Sequence, residues 1–424
     1  MDRFYIQGET RLDGEVVVNG AKNAALPLMA AALMGSGTSR IRGVPELRDI
    51  QTMVDIMREL GADVERLPDG AIEITPVDES KYEAPYNLVS QMRGSICVLG
   101  PLVARRHRAR VSMPGGCVIG VRPIDLHRKG IEALGADITL SDGYVDATAP
   151  RLKGASIYLG GAFGSTALGT CNVMSAACLA EGTTLIECAA CEPEIVDLAN
   201  FLVKMGARIE GAGSHRIVVH GVTELHGADH TIIPDRIEAG TFMAAAAVTR
   251  GRVTVKGADP SHLSAVIDAM TQIGVKITVN GDACHVDATD GFKATDVVAL
   301  PYPGVPTDIQ AQISALLATA DGISVVTDKV FPDRFMHIAE LDRMGAHIRK
   351  EGPSAIIVGT PQLTGAEVMA SDLRASAALV LAGMAAKATT SIHRVYHIDR
   401  GYERIEERLN ALGARIERVN EKLS

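Results

Sequence analysis

Two features of this chain could do chemistry: a cysteine set in a glycine-rich run, and a spaced series of arginines. The run Pro114-Gly115-Gly116-Cys117-Val118-Ile119-Gly120 surrounds one thiol with three glycines. Glycine permits backbone shapes closed to other residues and lets a ligand approach closely. A thiol with an ordinary pKa of about 8.5 is mostly protonated at neutral pH and can give up a proton, while nearby cations push it toward thiolate. Cys117 is therefore expected to act chemically. Counted back from three glycines that end helical patterns, arginines recur at one offset: Arg48 (61−48=13), Arg122 (135−122=13) and Arg400 (413−400=13), with Arg334 close behind (345−334=11). Each is expected at the start of a helix. There an arginine is unfavourable on dipole grounds unless an anion is present. One such arginine alone reads as a solvated helix end; as a set they point to a ligand carrying several phosphates or carboxylates.

A second group of helices, more apolar, opens on Lys22-Asn23, Met92-Arg93, Asp235-Arg236, Thr307-Asp308 and Asp372-Leu373-Arg374. The elements that place these ends are repeated. Helices run into Gly-Ala-like corners at Gly61, Gly135, Gly206, Gly274, Gly345 and Gly413, stepping by 74 (135−61), 71 (206−135), 68 (274−206), 71 (345−274) and 68 (413−345). Before three of the corners apolar residues fall at i, i+3, i+4, i+7, as in Met53, Ile56, Met57, Leu60, so the glycine is expected to close the helix in a left-handed conformation. Alternating residues across Pro68-Asp69-Gly70 and Ser141-Asp142-Gly143 then predict hairpins. The stretches 24–34, 95–103, 174–180, 242–248, 313–320 and 377–385 are apolar nearly all round and should be buried. The fold class is α/β, six repeated strand/helix units dividing into two sets of three, with the break near 227–234.

A net charge of −9 opposes general nucleic-acid binding, and the absence of Trp with 4% aromatics leaves few stacking platforms. No apolar run is long enough to span a bilayer and the first residues lack a signal-peptide core, so a cytoplasmic enzyme or binding protein is expected. Seven cysteines suggest reduced thiols. Cys97, Cys171 and Cys178 read as core, and the lone Cys188-Ala189-Ala190-Cys191 pair as buried or semi-buried thiols rather than a metal site.

The sequence resembles the UDP-N-acetylglucosamine 1-carboxyvinyltransferases, a family of enolpyruvyl transferases, over essentially its whole length. The resemblance rests on Asn19-Gly20-Ala21-Lys22-Asn23-Ala24, the Cys117 loop, Arg122-Pro123-Ile124-Asp125-Leu126-His127, Glu192-Pro193-Glu194-Ile195-Val196-Asp197, Pro234-Asp235-Arg236-Ile237-Glu238, Pro306-Thr307-Asp308, Asp372-Leu373-Arg374-Ala375-Ser376 and His397-Ile398-Asp399-Arg400-Gly401-Tyr402-Glu403-Arg404. It implies two inside-out α/β domains, each of three units around buried helices. One would span residues 22–232 with the Cys117 loop, and the other residues 1–21 and 233–424, with substrates held between them. It also implies transfer of the enolpyruvyl group of phosphoenolpyruvate to the 3′-hydroxyl of UDP-N-acetylglucosamine, with phosphate released and no cofactor or metal required.

By the same resemblance, the catalytic residues are Cys117 as proton donor, Asp308 as base or orienter, Lys22 and Arg400. Phosphoenolpyruvate would be held by Lys22, Asn23, Arg122, Arg334, Arg374 and Arg400. The sugar nucleotide would be held by Asn23, Arg93, Arg122, Pro123, Ile124, Asp125, Leu126, Asp308 and Val330. Asp372 and Arg236 would stand behind them. Residues 160–166 match the family's uridine segment only loosely, with Ser165 or Thr166 as its contacts; Arg48 replaces a common Lys and Asp333 a common Asn. Fosfomycin, an epoxide mimic of phosphoenolpyruvate, is expected to alkylate Cys117. Shikimate-phosphate enolpyruvyl transfer is opposed by the Cys117 loop and the 122–127 run. RNA-terminal phosphate cyclisation is opposed by net acidity, and a non-catalytic sensor by the retained Cys117, Asp308 and Lys22.

Overall fold

A computed structural model of the chain describes residues 2–115 and 124–420. All six corner glycines are left-handed: φ is 77° at Gly61, 98° at Gly135, 111° at Gly206, 110° at Gly274, 82° at Gly345 and 101° at Gly413. At Gly61 space forbids a side chain as well, since a Cβ would lie 2.3 Å from the carbonyl oxygen of Asp78. The helices before the corners can therefore stop in one residue and turn into a strand.

In chain order the helices are α1 (Lys22–Ala32), α2 (Arg48–Glu59), α3 (Tyr86–Val89), α4 (Leu99–Arg106), α5 (Asp125–Ala133), α6 (Ala167–Cys178), α7 (Pro193–Lys204), α8 (Arg236–Val248), α9 (Ser264–Ile273), α10 (Thr307–Leu317), α11 (His337–Arg343), α12 (Ala375–Ala385) and α13 (Ile405–Ala411). Helices α1, α4, α6, α8, α10 and α12 are buried along nearly their whole length, as their uniform apolarity requires. The stretch 95–103 is not one α-helix. It is a 3-10 turn, Arg93–Val98, running into α4, and the amide of Gly100 is bonded sideways to the Asn172 side chain at 2.8 Å. Arg48 is the first residue of α2 rather than its predecessor, and Arg400 closes a 3-10 turn, Val395–Arg400, ahead of α13.

Six four-stranded sheets share one plan: a parallel edge strand followed by two antiparallel pairings. Alternation fixes which face is buried; in Ile72–Pro76, Ile72 and Ile74 are buried while Glu73 is not. Two sheets borrow strands from the start of the chain. Asp13–Val17 is the parallel edge beside Arg252–Lys256, with Val255 opposite Val16, and Asp2–Gln7 lies between Thr389–His393 and Ile416–Asn420, with Phe4 opposite Ile392 and Arg418. Likewise Asp229–Thr231 closes the sheet of Ser39–Arg42.

The chain forms two compact units, residues 2–19 with 234–420 (the C-terminal unit) and residues 20–115 with 124–233 (the N-terminal unit). Each has its own core, with α8, α10 and α12 packed on one another in the C-terminal unit and α1, α4 and α6 with the Arg93–Val98 turn in the N-terminal unit. The unit ends are fastened by backbone bonds: Asp235 N donates to Asn19 O at 2.8 Å, and Ala21 N to Ile233 O at 2.8 Å. Among the described residues no helix is long and apolar enough to cross a membrane.

Candidate active site

In the C-terminal unit the N-terminal ends of all three buried helices are joined by charge. Asp235 caps α8, its Oδ1 accepting from Ile237 N at 2.8 Å and Glu238 N at 3.0 Å, and its Oδ2 takes Arg374 Nη2 at 3.3 Å. Asp372 Oδ1 accepts from Arg374 N at 2.7 Å and Ala375 N at 2.9 Å, which caps α12, and also from Arg334 Nη2 at 3.2 Å. Arg334 Nη1 meets Asp308 Oδ1, in the first turn of α10, at 2.5 Å. Two guanidiniums thus serve three carboxylates. Burial alone would lower the Arg334 pKa, but Asp372 and Asp308 outweigh it and raise it. Burial also opposes ionisation of Asp372, yet Arg334 and the two backbone N–H groups hold its pKa below the usual carboxylate value.

The same cluster fixes nearby backbone. Thr307 Oγ1 donates to Asp328 Oδ2 at 2.5 Å, and Asp328 Oδ1 accepts from Val330 N at 2.9 Å, so the start of α10 and the Val330 segment share one carboxylate. Arg374, 1% exposed, donates to Gly401 O at 3.0 Å and stacks over the Tyr402 ring at 4.8 Å. Thr241 Oγ1 donates to Ile237 O at 2.8 Å, which leaves it to accept from Tyr402 OH at 2.8 Å. Gln312 Nε2 donates to Tyr402 Oη at 3.2 Å and to Asp308 O at 3.0 Å. Thr241 and Gln312 are polar residues inside apolar helices. His337, buried beside Arg334 and Asp372, is pushed down to about 4 chiefly by burial, so it is neutral at pH 7.

In the N-terminal unit Lys22 opens α1, is 4% exposed, and places Nζ 2.9 Å from Asp49 Oδ2 in the first turn of α2. Among the described residues no side chain caps α1, whose N-cap is Ala21. Its first N–H groups and a buried ammonium therefore lie at one helix end, an arrangement suited to an anion. Asn23 beside it is half-buried, while Arg48 is exposed. Arg93 opens the 3-10 turn before α4 and lies near enough to His127 of α5 to act on its charge. Burial first, and Arg93 second, depress His127 to about 3. Asn172 Oδ1 accepts from Gly100 N, and its Nδ2 donates to Ile96 O at 2.9 Å and faces His127 Nδ1 at 2.8 Å, which makes Nδ1 the acceptor and puts the ring proton on Nε2. Asn172 is one polar residue in an apolar helix, so periodicity does not mark it.

Cys117, Arg122 and Pro123 lie outside the described residues. Their flanks are placed: Gly115 backs onto Ser90, where a Cβ would sit 2.5 Å from the carbonyl oxygen, and the chain re-enters at buried Ile124, the N-cap position of α5. Asp125 is exposed and Leu126 half-buried, with Leu126 Cδ1 against Gly161. The 160–166 segment therefore lies beside the start of α5. Ser165 is half-buried, and Thr166 caps α6 through Gly169 N at 3.2 Å. Burial pushes Cys97 and Cys178 up to about 12 and also raises Cys171, so these thiols stay protonated. Cys191 is buried with Sγ 3.4 Å from His215 Nδ1, and Cys188 is half-buried.

The sequence matches the EPSP synthase (3-phosphoshikimate 1-carboxyvinyltransferase) family over residues 6–409. It is 54% identical to UDP-N-acetylglucosamine 1-carboxyvinyltransferase 2 of Carboxydothermus hydrogenoformans, with 99% of this chain and 100% of the relative covered. It is 52% identical to the UDP-N-acetylglucosamine 1-carboxyvinyltransferase of Desulfosudis oleivorans, over 99% and 100%. The structure resembles the enolpyruvyl transferase NikO from Streptomyces tendae with a TM-score of 0.89 at 26% identity, 99% of each chain being covered. An EPSP synthase from Acinetobacter baumannii shares the fold with a TM-score of 0.73 at 21% identity, over 99% and 100%.

Proposed function

Because the chain belongs to the UDP-N-acetylglucosamine 1-carboxyvinyltransferase family, we infer that it transfers the enolpyruvyl group of phosphoenolpyruvate to the 3′-hydroxyl of UDP-N-acetylglucosamine and releases phosphate. This is the first committed step of peptidoglycan synthesis, and a cytoplasmic location fits its substrates.

In the addition step the sugar oxygen bonds to the central carbon of phosphoenolpyruvate while its proton passes to a base, and the methylene carbon gains a proton. In the elimination step the bond to the phosphate oxygen breaks, phosphate leaves, and the methyl group loses a proton to restore the double bond. Positive charge develops on the central carbon in the course of each step. Asp308 is the proposed acceptor of the hydroxyl proton, and Cys117 the proposed donor to the methylene carbon. Lys22, Arg122, Arg334, Arg374 and Arg400 are assigned to the phosphate and carboxylate of phosphoenolpyruvate, with Asn23. Asn23, Arg93, Arg122 to Leu126, Asp308 and Val330 are assigned to the sugar nucleotide, as is the 165–166 pair.

The observation that supports this reading best is the Asp308–Arg334 contact of 2.5 Å in the first turn of α10. It fixes a guanidinium beside the carboxylate proposed as the base. The test is phosphate release from phosphoenolpyruvate with UDP-N-acetylglucosamine or shikimate 3-phosphate as acceptor, repeated on Cys117→Ser. Release with the sugar nucleotide alone is expected. Release with shikimate 3-phosphate instead would overturn the acceptor assignment, and unchanged turnover in Cys117→Ser would remove the thiol from the mechanism.

A further inference from the structure

The last strand of the sheet built on Asp2–Gln7 carries Arg418, and its guanidinium gathers three acids from different parts of the C-terminal unit. Nη2 meets Asp399 Oδ1 at 2.6 Å and Nη1 meets Asp399 Oδ2 at 3.1 Å, a bidentate fork. Nε donates to Glu406 Oε1 at 2.6 Å in the first turn of α13, and Nη1 reaches Asp2 Oδ2 at 3.2 Å. The plane lies over the Phe4 ring at 4.9 Å, and Phe4 is fully buried. The carboxylates hold the Arg418 pKa up against the burial that would lower it.

Asp399 immediately precedes Arg400 in the Val395–Arg400 turn, and consecutive side chains in a 3-10 turn diverge by about 120°. With Asp399 clamped to the sheet, Arg400 is directed away from it. The residue after Arg400 is clamped too: Gly401 O accepts from Arg374 Nη1 at 3.0 Å, and a Cβ on Gly401 would lie 2.2 Å from Leu373 Cδ1. Arg400 thus sits between two anchored neighbours. Glu406, held by the same guanidinium, fastens the far side of the 401–404 segment.

We propose that Arg418 is a positioning residue for phosphoenolpyruvate, setting the direction of Arg400 by clamping Asp399 and Glu406 to the C-terminal strand. The inference rests on the reading that Arg400 holds phosphoenolpyruvate. A lysine at 418 keeps the charge but cannot form the planar fork.

The test measures kcat, KM for each substrate and Tm on wild type, Arg418→Lys, Asp399→Asn, Asp2→Asn, Arg400→Ala and the double variant Arg400→Ala/Arg418→Lys. Arg418→Lys and Asp399→Asn should each raise the KM for phosphoenolpyruvate roughly tenfold, with the KM for UDP-N-acetylglucosamine within about twofold of wild type, because a small misdirection of one cation affects only the ligand it holds. Asp2→Asn, which loosens only the outer contact, should leave both KM values unchanged. In the Arg400→Ala background, adding Arg418→Lys should change phosphoenolpyruvate kinetics no further. A lowered Tm with wild-type KM values in both Arg418→Lys and Asp399→Asn makes the clamp merely structural and overturns the proposal, as does a full additional loss in the double variant. Wild-type phosphoenolpyruvate kinetics in Arg400→Ala alone would overturn the assignment of Arg400 itself, and the positioning role with it.

Discussion

The two units start from the same plan of three buried helices inside three sheets, yet they finish their helix ends differently. In the C-terminal unit Asp235, Asp308 and Asp372 interlock with Arg334 and Arg374, so the start of each buried helix is tied to another by an ion pair. Among the described residues of the N-terminal unit, the buried pair of Lys22 with Asp49 stands at α1, while neutral Asn172 and His127 bond the Arg93–Val98 turn, α4, α5 and α6 together. Neutral hydrogen bonds suffice to fix a fold. The charged lattice fixes the positions of two guanidiniums among three carboxylates.

Breaking one ion pair in each unit gives the largest test of that contrast. Arg334→Met leaves Asp308 and Asp372 without their shared cation, and Asp372 is wholly buried, so the C-terminal unit should lose about 4 kcal/mol of stability. Lys22→Met takes a buried cation from one carboxylate, Asp49, rather than two, for a smaller loss of about 3 kcal/mol in the N-terminal unit. Hydrogen exchange resolved by unit measures both, since two units need not unfold as one. A greater loss in Lys22→Met would mean that the shared lattice is no more demanding than a single pair.

Asp308→Asn asks what the lattice is for. The amide keeps the shape and one acceptor for Arg334 but cannot take up a proton, so turnover should fall roughly 100-fold while the KM values stay within a few-fold. Near-normal kcat would leave Asp308 a structural member of the cluster.

Each unit also buries a neutral histidine beside an arginine, His127 near Arg93 and His337 near Arg334, depressed to about 3 and about 4. The unfolded side chains titrate near pH 6.5, so between that pH and the folded values the unfolded chain binds protons that the fold refuses. Stability therefore falls as the pH drops below about 6.5, by about 2 kcal/mol per histidine at pH 5. His127→Asn should flatten the acid dependence of the N-terminal unit alone, measured by the same exchange experiment between pH 7 and pH 5. An unchanged slope would place the acid sensitivity elsewhere.

How much of this was legible depended on whether a residue's role is local. Six corner glycines could be read because a left-handed cap after an amphipathic run is decided by a few neighbours, and each has positive φ. The burial of the apolar helices followed from composition. Spacing picked out Arg48 alongside Arg400, but Arg48 is exposed on α2, and counting from a glycine cannot tell an inward from an outward face. Spacing marks Arg334, and Lys22, Arg374 and Asp308 stand out as openings of apolar helices, but their pairing with Asp49, Asp235 and Asp372 is not legible, because those partners are 27 to 139 residues distant. Thr241, Gln312 and Asn172 were hidden because single polar residues in apolar helices barely change a periodicity, although their burial demands partners.

The smallest expected effect bears on how the two units cap their helices. The C-terminal unit caps α8 with the carboxylate of Asp235, whereas α6 is capped by the hydroxyl of Thr166. The resemblance also offers Thr166 as a nucleotide contact, yet its hydroxyl accepts from Gly169 N at 3.2 Å. If capping is its whole role, Thr166→Ala should cost about 1 kcal/mol, Thr166→Ser should recover it, and the KM for UDP-N-acetylglucosamine should not move. A nucleotide contact would show the opposite pattern: a raised KM with unchanged thermal stability. That result would place the Thr166 hydroxyl in the substrate site, and the contrast between acidic caps in one unit and a neutral cap in the other would lose its structural basis.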